Sequence, residues 1–343
     1  MRDNMLVKHY AGSISYGTNI PTSDIDFRGL FCADPINIRT PFFAVRECTD
    51  VSEEDTKLYE LTHFMKLCLD CNPNIIETLW VDNSSIISSS TGYELLRSHR
   101  SDLLSSRLAF TFSGYAISQL KRIKGHNKWI NNPQPVEAPV EADYVTMVQS
   151  FRPEKIMPRD FNIRAWSQDH CLVPYGGHLY GVYPNKGKTL VNPEGRLCPT
   201  DHSDHSTMGI PSFILKFNFE VYKVAKETHA SYWSWKNNRN ETRGELEEQF
   251  GYDTKHAMHL VRLLRMGAEA LRGEGVIVKR PDAEELLSIR NGAWTYEEIV
   301  EYAEEMDHEV REVLYRNTPL RKKPDIKFAG QLLMNIQDLV WAP

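Results

Sequence analysis

The first part of the chain alternates apolar and polar positions with a period of two. LVKHYAG and DIDFRGLF carry this pattern on either side of the polar segment SISYGTNIPTS. Such alternation is typical of half-buried strands, so we predict a strand, a polar turn and a second strand. These elements and the two helices expected after them predict a small α/β domain over residues 1–90.

Helical periodicity begins with HFMKLCL and continues in CNPNIIETLW, where Pro73 suits the first turn of a helix. Residues 91–130 form a helical connection, because leucines and other apolar residues recur there at spacings of three and four. We expect Gly125 to end that helix.

The pattern changes between residues 131 and 212, where prolines and glycines are frequent. Proline removes a backbone donor and fixes φ, which excludes long helices. Short strands such as HLYGVYP and KTLV are predicted instead, within an insert. From residue 213 to residue 343 helical spacing returns, starting at FILKF, and predicts a helical carboxy-terminal domain.

Net charge and composition argue against several classes of protein. The net charge of −6 argues against a surface built to hold duplex nucleic acid nonspecifically. We expect no membrane association, because no stretch approaches the roughly 20 apolar residues that span a bilayer, and we expect a cytoplasmic protein. Six cysteines with irregular spacing fit a reducing compartment better than a disulfide framework.

The candidate chemistry lies in Gly12-Ser13 and, further along, Asp24-Ile25-Asp26. Residues two apart on a strand project to one face, which brings the carboxylates of Asp24 and Asp26 together. Two neighbouring anions favour hard divalent cations, and a pair of such ions suits phosphoryl displacement. We therefore predict a site for two Mg²⁺ ions, or Mn²⁺, that acts on a nucleoside triphosphate. We expect the backbone of the glycine-containing turn to contact the triphosphate. The candidate phosphate-binding residues, which form the phosphate cradle, are Gly12, Ser13, Ser15 and Gly17.

GSISYGTNIPTSDIDFRGLF resembles the GS and DxD signature of the polymerase-beta nucleotidyltransferase superfamily. More specifically, the chain is similar to predicted bacterial and phage nucleotidyltransferases associated with RNA ligases and RNA repair. NPNIIETLW, GYDTKHAMHLVRLLRMGAEAL and IRNG extend the likeness, whereas residues 130–212 are poorly covered. The resemblance implies an α+β fold in which helices flank a small mixed sheet over residues 1–90. It also implies magnesium and release of pyrophosphate.

The same superfamily pattern implies a third acidic residue on a neighbouring strand. Asp55 is our first choice, because DTKLY predicts a short strand that leads into the next helix. Glu60 is the second candidate, and Glu53 and Glu54 stay open. A surface acidic turn at SEEDT explains the same residues equally well.

In the carboxy-terminal region, Lys255, His259 and Arg262 recur at helical spacing and share one helix face. A basic face of this kind would neutralise the triphosphate or the phosphate of the acceptor. An exposed helix paired with Asp253 and Glu269 is the alternative. His256 and His259 are poor metal ligands by sequence, since they are three apart and we find no acidic or cysteine partner close in sequence.

Three functions compete. The leading one moves a nucleoside monophosphate from a triphosphate to an RNA end, such as a tRNA-like end, or to a DNA end. The second keeps this chemistry but uses a protein hydroxyl or a small molecule as the acceptor. The third is a non-catalytic module that binds nucleotide or RNA, and the intact GS and DxD motifs argue against it.

Overall fold

A computed structural model of the protein describes residues 4–49, 55–153, 156–200, 209–239 and 241–342, with side chains of 241–243 left out. The chain divides into two compact units. The first comprises Met1–Asn131 and Glu241–Pro343, and the second comprises Asn132–Asn240. The carboxy-terminal helices therefore share a unit with the amino-terminal segment, and residues 213–240 belong with the insert.

The first unit contains a five-stranded mixed sheet in the order β3-β4-β2-β1-β5. Its strands are β1 (Met5–Tyr10), β2 (Phe27–Phe31), β3 (Glu47–Thr49), β4 (Thr56–Glu60) and β5 (Ile86–Ser89). β2 and β4 run parallel, and the other neighbours are antiparallel. The central strands are the most apolar, and one face of the sheet packs on helices of the same unit.

Helices cover this sheet and form the rest of the first unit. They are α1 (Gly12–Tyr16), α2 (Pro35–Arg39), α3 (Leu61–Leu69), α4 (Pro73–Ile76), α5 (Thr91–Ser98) and α6 (Leu108–Asn131). In the second unit lies α7 (Phe219–Asn238), and the first unit resumes with α8 (Glu241–Phe250), α9 (Thr254–Arg272) and α10 (Ala283–Arg290). α11 (Tyr296–His308), a π-helical turn (Glu309–Leu314) and α12 (Tyr315–Asn317) precede α13 (Ile326–Trp341). α9 is the central helix of the core, since its residues are mostly buried and it packs along α6.

Several local predictions are confirmed and others are wrong. Pro73 does open α4, and the HFMKLCL segment forms α3. The segment after β1, predicted as a turn, instead begins with the short helix α1. Gly125 does not end a helix, because α6 continues to Asn131. A glycine costs only about 1 kcal/mol inside a helix, and the packing of α6 on α9 outweighs that cost.

The second unit contains a four-stranded antiparallel sheet in the order β6-β9-β8-β7. Its strands are β6 (Val145–Ser150), β7 (Gln168–Gly176), β8 (Leu179–Thr189) and β9 (Phe213–Phe217). The segments HLYGVYP and KTLV contribute to one long strand, β8. The prediction of helix from residue 213 is wrong for β9, whose buried Phe213, Leu215 and Phe217 alternate as a strand requires.

The predicted fold class is confirmed: an α+β chain with a small mixed sheet flanked by helices, a helical carboxy-terminal region and a β-containing insert. Within the part of the chain that the structure describes, no helix combines the length and apolar character needed to cross a bilayer.

Candidate active site

Three chain segments meet at one edge of the first sheet. β1 ends at Tyr10, which pairs with Phe27 at the start of β2, and Phe27 in turn pairs with Thr56 at the start of β4. Because β2 and β4 are parallel and β1 is antiparallel to β2, the residues just beyond these three positions lie side by side. Those residues are Ala11 and Gly12, Asp26, and Asp55.

The DxD motif precedes the strand instead of lying on it, which corrects the sequence prediction. β2 begins at Phe27, and Asp24 and Asp26 occupy the extended segment before it. Ile25, between them, is 54% exposed. The backbone fixes this segment, since the Ala11 amide donates to the Asp26 carbonyl at 2.8 Å. The carboxylates are thus held by main-chain geometry at the sheet edge.

Asp26 is the centre of a group of charged side chains. Burial raises the pKa of the Asp26 carboxyl, and the negative charges of Asp55 and Asp24 raise it further. The positive charges of Arg28 and Lys255 act in the opposite direction. Asp24, Asp55, Arg28 and Lys255 therefore all lie within electrostatic reach of Asp26, although Lys255 is distant in sequence.

Gly12 allows this arrangement because it has no side chain. A Cβ atom at Gly12 would overlap Asp26 Oδ2, well inside the 3.0 Å that real Cβ contacts keep. The residue also has φ of +59°, a left-handed conformation that glycine adopts without strain. Gly12 therefore lets α1 start directly against the carboxylate of Asp26.

The other cradle candidates have different surroundings. Ser13 is half-buried in the first turn of α1, next to Gly12. Ser15 is buried, and its hydroxyl donates to the Gly12 carbonyl at 2.9 Å. Gly17 ends α1 in a left-handed conformation, with its amide bonded to Ile14 O. Ser15 and Gly17 thus make hydrogen bonds within α1, and Gly12 is the candidate that lies against the carboxylate of Asp26, so the phosphate contacts of Ser13, Ser15 and Gly17 stay predictions.

Asp55 and Glu60 lie at opposite ends of β4. Asp55 precedes the strand, is exposed, has φ of +56°, and accepts the Phe27 amide on its carbonyl at 3.2 Å. Glu60 pairs with Phe31 at the far edge of the sheet. Its buried carboxylate caps α3 by accepting the amides of Thr62 and His63 at 2.7 and 3.1 Å. Asp55 is thus beside Asp26 and Glu60 is not.

The remaining alternatives for the third carboxylate, Glu53 and Glu54, lie outside the described residues, as does the DHSDHS segment.

Arg262 is buried and does not share the partly exposed face of α9 on which Lys255 and His259 lie, which corrects the prediction that the three residues share one face. Arg262 is 5% exposed, and its Nη1 donates to Glu77 Oε1 at 2.9 Å. The guanidinium lies 3.7 Å from the centroid of the Tyr16 ring, and the Tyr16 hydroxyl donates to Glu77 Oε2 at 2.5 Å. Arg262 therefore supports the last residue of α1 from inside the protein, and its contact with a phosphate stays a prediction.

Lys255 and His259 lie on the less buried side of α9, and their predicted contact with the nucleotide stays a prediction. Both are half-buried, on a helix whose remaining surface is largely core. Lys255 is in the first turn of α9, close enough to lower the pKa of Asp26. A cation at this position suits a polyanionic ligand at the same edge.

Sequence patterns missed Arg28 and Glu77. Arg28 is on β2, and its Nη1 donates to the Asn74 carbonyl at 2.6 Å while its charge acts on Asp26. Its place two residues after Asp26 is the only sequence signal that we find for it. Glu77 carries no such signal, because its partner Arg262 lies 185 residues away.

The donor set at the sheet edge fits a hard divalent cation. Carboxylate oxygens are the preferred ligands of Mg²⁺ and Mn²⁺, and Asp24, Asp26 and Asp55 could supply them. Burial and, after it, the neighbouring carboxylates raise the pKa of Asp26, and a bound cation would offset both effects.

Comparison with known proteins agrees with this geometry. Residues 4–132 match the family model described as RlaP, the RNA repair pathway DNA polymerase beta family. No curated protein and no solved structure matches the chain. The matched segment contains β1 to β5, α1 and all three carboxylates. This match over residues 4–132 is consistent with a polymerase-beta superfamily nucleotidyltransferase.

Proposed function

We propose that the protein is a metal-dependent nucleotidyltransferase that moves a nucleoside monophosphate from a nucleoside triphosphate to the hydroxyl of an RNA or DNA end. The observation that carries this proposal is that Asp26 lies against Gly12 at one edge of the sheet, within electrostatic reach of Asp24 and Asp55. A family description that names RNA repair supports the choice of a nucleic-acid end as the acceptor.

In this proposal Asp24, Asp26 and Asp55 hold Mg²⁺ or Mn²⁺ together with the triphosphate. The bound ions would supply charge neutralisation for the phosphates and for the attacking and leaving oxygens. The main-chain bonds of Asp26 and Asp55 keep the carboxylates in place before substrate arrives, which lowers the cost of organising the site.

Gly12 and Ser13 let the phosphates approach the backbone at the start of α1, and Lys255 places a positive charge beside them. The acceptor hydroxyl attacks the α-phosphorus and gives up its proton to solvent. A phosphorus–oxygen bond forms to the acceptor, and the bond between the α-phosphorus and the β-phosphate oxygen breaks to release pyrophosphate. Correct alignment of these groups supplies much of the rate.

The test follows label from an α-³²P nucleoside triphosphate into RNA and DNA oligonucleotides in the presence of Mg²⁺. Asp24→Asn and Asp26→Asn remove one negative charge each with little change of shape. We expect each to reduce transfer by about 1,000-fold or more, since several kcal/mol of charge stabilisation are lost. Asp338→Asn, at an exposed position of α13, is the matched control and keeps full transfer.

The acceptor is tested separately by adding labelled ATP and a cell lysate to the enzyme. Label that nuclease removes and protease spares supports a nucleic-acid end. Label that protease removes identifies a protein hydroxyl as the acceptor and overturns the choice of nucleic acid while keeping the chemistry. Transfer that survives both Asp24→Asn and Asp26→Asn overturns the proposed site itself.

A further inference from the structure

A second group of metal-ligating side chains lies on three helices of the first unit. His126 is on α6, Glu247 is on α8, and Asp253 is the residue that caps the start of α9. One donor atom from each of these side chains lies within 4.8 Å of the other two. None of the three belongs to the carboxylate group around Asp26.

Two of the three separations between donor atoms are close to the edge length of a tetrahedral zinc site. His126 Nδ1 lies 3.2 Å from Glu247 Oε1 and 3.4 Å from Asp253 Oδ2. Zinc binds imidazole nitrogen and carboxylate oxygen at about 2.0 to 2.2 Å, so the edge of its tetrahedron is about 3.3 to 3.6 Å. Charge-assisted hydrogen bonds between nitrogen and carboxylate oxygen are typically shorter, at about 2.7 to 2.9 Å.

The burial and the charge of these side chains also favour a bound cation. Glu247 is 1% exposed and Asp253 is fully buried. Taking a carboxylate out of water costs several kcal/mol unless a cation and hydrogen bonds compensate. A divalent ion balances both carboxylates at once and leaves the imidazole of His126 neutral, the form that binds metals.

Neighbouring groups orient the ligands as the outer shell of a metal site does. Asp253 uses Oδ1 to accept the His256 amide at 3.0 Å, while Oδ2 faces His126. His256 Nε2 lies 3.6 Å from the same Oδ2. Asn127 Nδ2 donates to the Gly251 carbonyl at 3.0 Å and so fixes the turn between α8 and α9 to α6.

We propose that His126, Glu247 and Asp253 bind one zinc-type divalent transition-metal ion that joins α6, α8 and α9. An imidazole ligand favours Zn²⁺ over Mg²⁺, which prefers oxygen ligands in an octahedron. The ion has a structural role: it holds the first turn of α9, where Lys255 lies.

The experiment uses the full chain after EDTA treatment and dialysis, titrated with ZnCl₂ by calorimetry and followed by thermal unfolding. Because Zn²⁺ also binds carboxylates, the titration is made in the Asp24→Asn, Asp26→Asn double variant. We expect one equivalent of Zn²⁺ to bind and to raise the melting temperature. Glu247→Gln and His126→Gln should each weaken binding by at least 10-fold, whereas Glu248→Gln, at an exposed neighbour on α8, should not.

His126→Gln provides a second ligand variant in case Glu247→Gln does not fold, since His126 is partly exposed. The proposal is overturned if no equivalent of Zn²⁺ binds to the double variant, or if binding is unchanged in both Glu247→Gln and His126→Gln. Either result would make the group an ion-paired network of protein side chains alone. Neither result bears on nucleotide transfer, which depends on different carboxylates.

Discussion

The carboxylate of Asp26 occupies the space that a side chain at Gly12 would fill. This relationship joins the two halves of the GS and DxD motif. The glycine is needed because the acid lies against it, and the acid is placed because Ala11, next to Gly12, donates its amide to the Asp26 carbonyl. The residues between the GS and DxD parts of the motif form the chain segment that runs from the end of β1 through α1 to the start of β2.

Gly12→Ala is therefore expected to reduce nucleotide transfer by about 100-fold or more, since a displacement of about 1 Å near reacting groups costs that much. The new methyl group collides with Asp26 Oδ2, and the left-handed φ adds strain. Initial rates with α-labelled triphosphate measure the effect.

Gly125→Ala is the matched control. No atom lies within 4 Å of a Cβ at this helical position. It should leave transfer unchanged and raise the free energy of unfolding by about 0.5 to 1 kcal/mol. A Gly12→Ala enzyme with the wild-type rate would contradict the proposed contact between Gly12 and the carboxylate.

We expect Arg262 to contribute mainly to folding stability and less to nucleotide binding. Arg262→Ala leaves the buried carboxylate of Glu77 without its guanidinium, which costs about 3 to 5 kcal/mol of unfolding free energy. Denaturant unfolding measures this loss, and Arg316→Ala, at an exposed position, should cost about 0.5 kcal/mol or less. If Arg262→Ala were as stable as the parent protein but had a raised KM for triphosphate, Arg262 would contact the nucleotide after all.

Lys255 is expected to contribute through its charge. Lys255→Met removes the cation near Asp26 and should lower kcat/KM by about 10- to 100-fold, the equivalent of one charged contact. Lys255→Arg keeps the charge and should retain part of the rate. Lys327→Met, exposed on α13, serves as the comparison, and equal rates for the two methionine variants would exclude the proposed role.

His9 makes folding stability depend on pH. Burial lowers the pKa of His9 from 6.5 to about 4 in the folded chain. His9 Nδ1 lies 2.7 Å from the Tyr10 carbonyl, so Nδ1 carries the proton and Nε2 accepts from the Thr78 hydroxyl. The unfolded chain binds this proton more readily than the folded chain. Well above pH 6.5 the buried His9 therefore does not lower the free energy of unfolding. As the pH drops to 4, protonation of His9 in the unfolded chain lowers the free energy of unfolding by up to about 3 kcal/mol.

Chemical denaturation between pH 7 and pH 4 checks this contribution. His9→Gln should lose less stability over that interval than the parent protein, whereas His308→Gln, at an exposed position, should follow the parent curve. Parallel curves for His9→Gln and the parent protein would show that the buried imidazole is not the source of the pH dependence.

Sequence patterns anticipated those parts of the site that are local in the chain. Asp24, Asp26 and Gly12 lie within one short segment, and Asp55 opens the strand that pairs with β2. The choice between Asp55 and Glu60 depends on which end of β4 faces β1, which only the register shows.

Such patterns could not identify pairs of residues that are far apart in sequence. Helical spacing placed Arg262 correctly on α9 but could not show that Glu77 lies opposite it. Likewise no sequence pattern indicated that His126 of α6 lies beside Asp253, the residue that caps α9. β9 was missed because a short apolar run such as FILKF fits a buried strand and a helix equally well.

The most direct measurement is a crystal structure with Mn²⁺ and a non-hydrolysable nucleoside triphosphate, in which anomalous scattering locates the metal. The account predicts Mn²⁺ within about 2.2 Å of oxygens from both Asp24 and Asp26, with the triphosphate beside Gly12. Anomalous density confined to the group of His126, Glu247 and Asp253, or carboxylates of Asp24 and Asp26 directed away from the nucleotide, would contradict it.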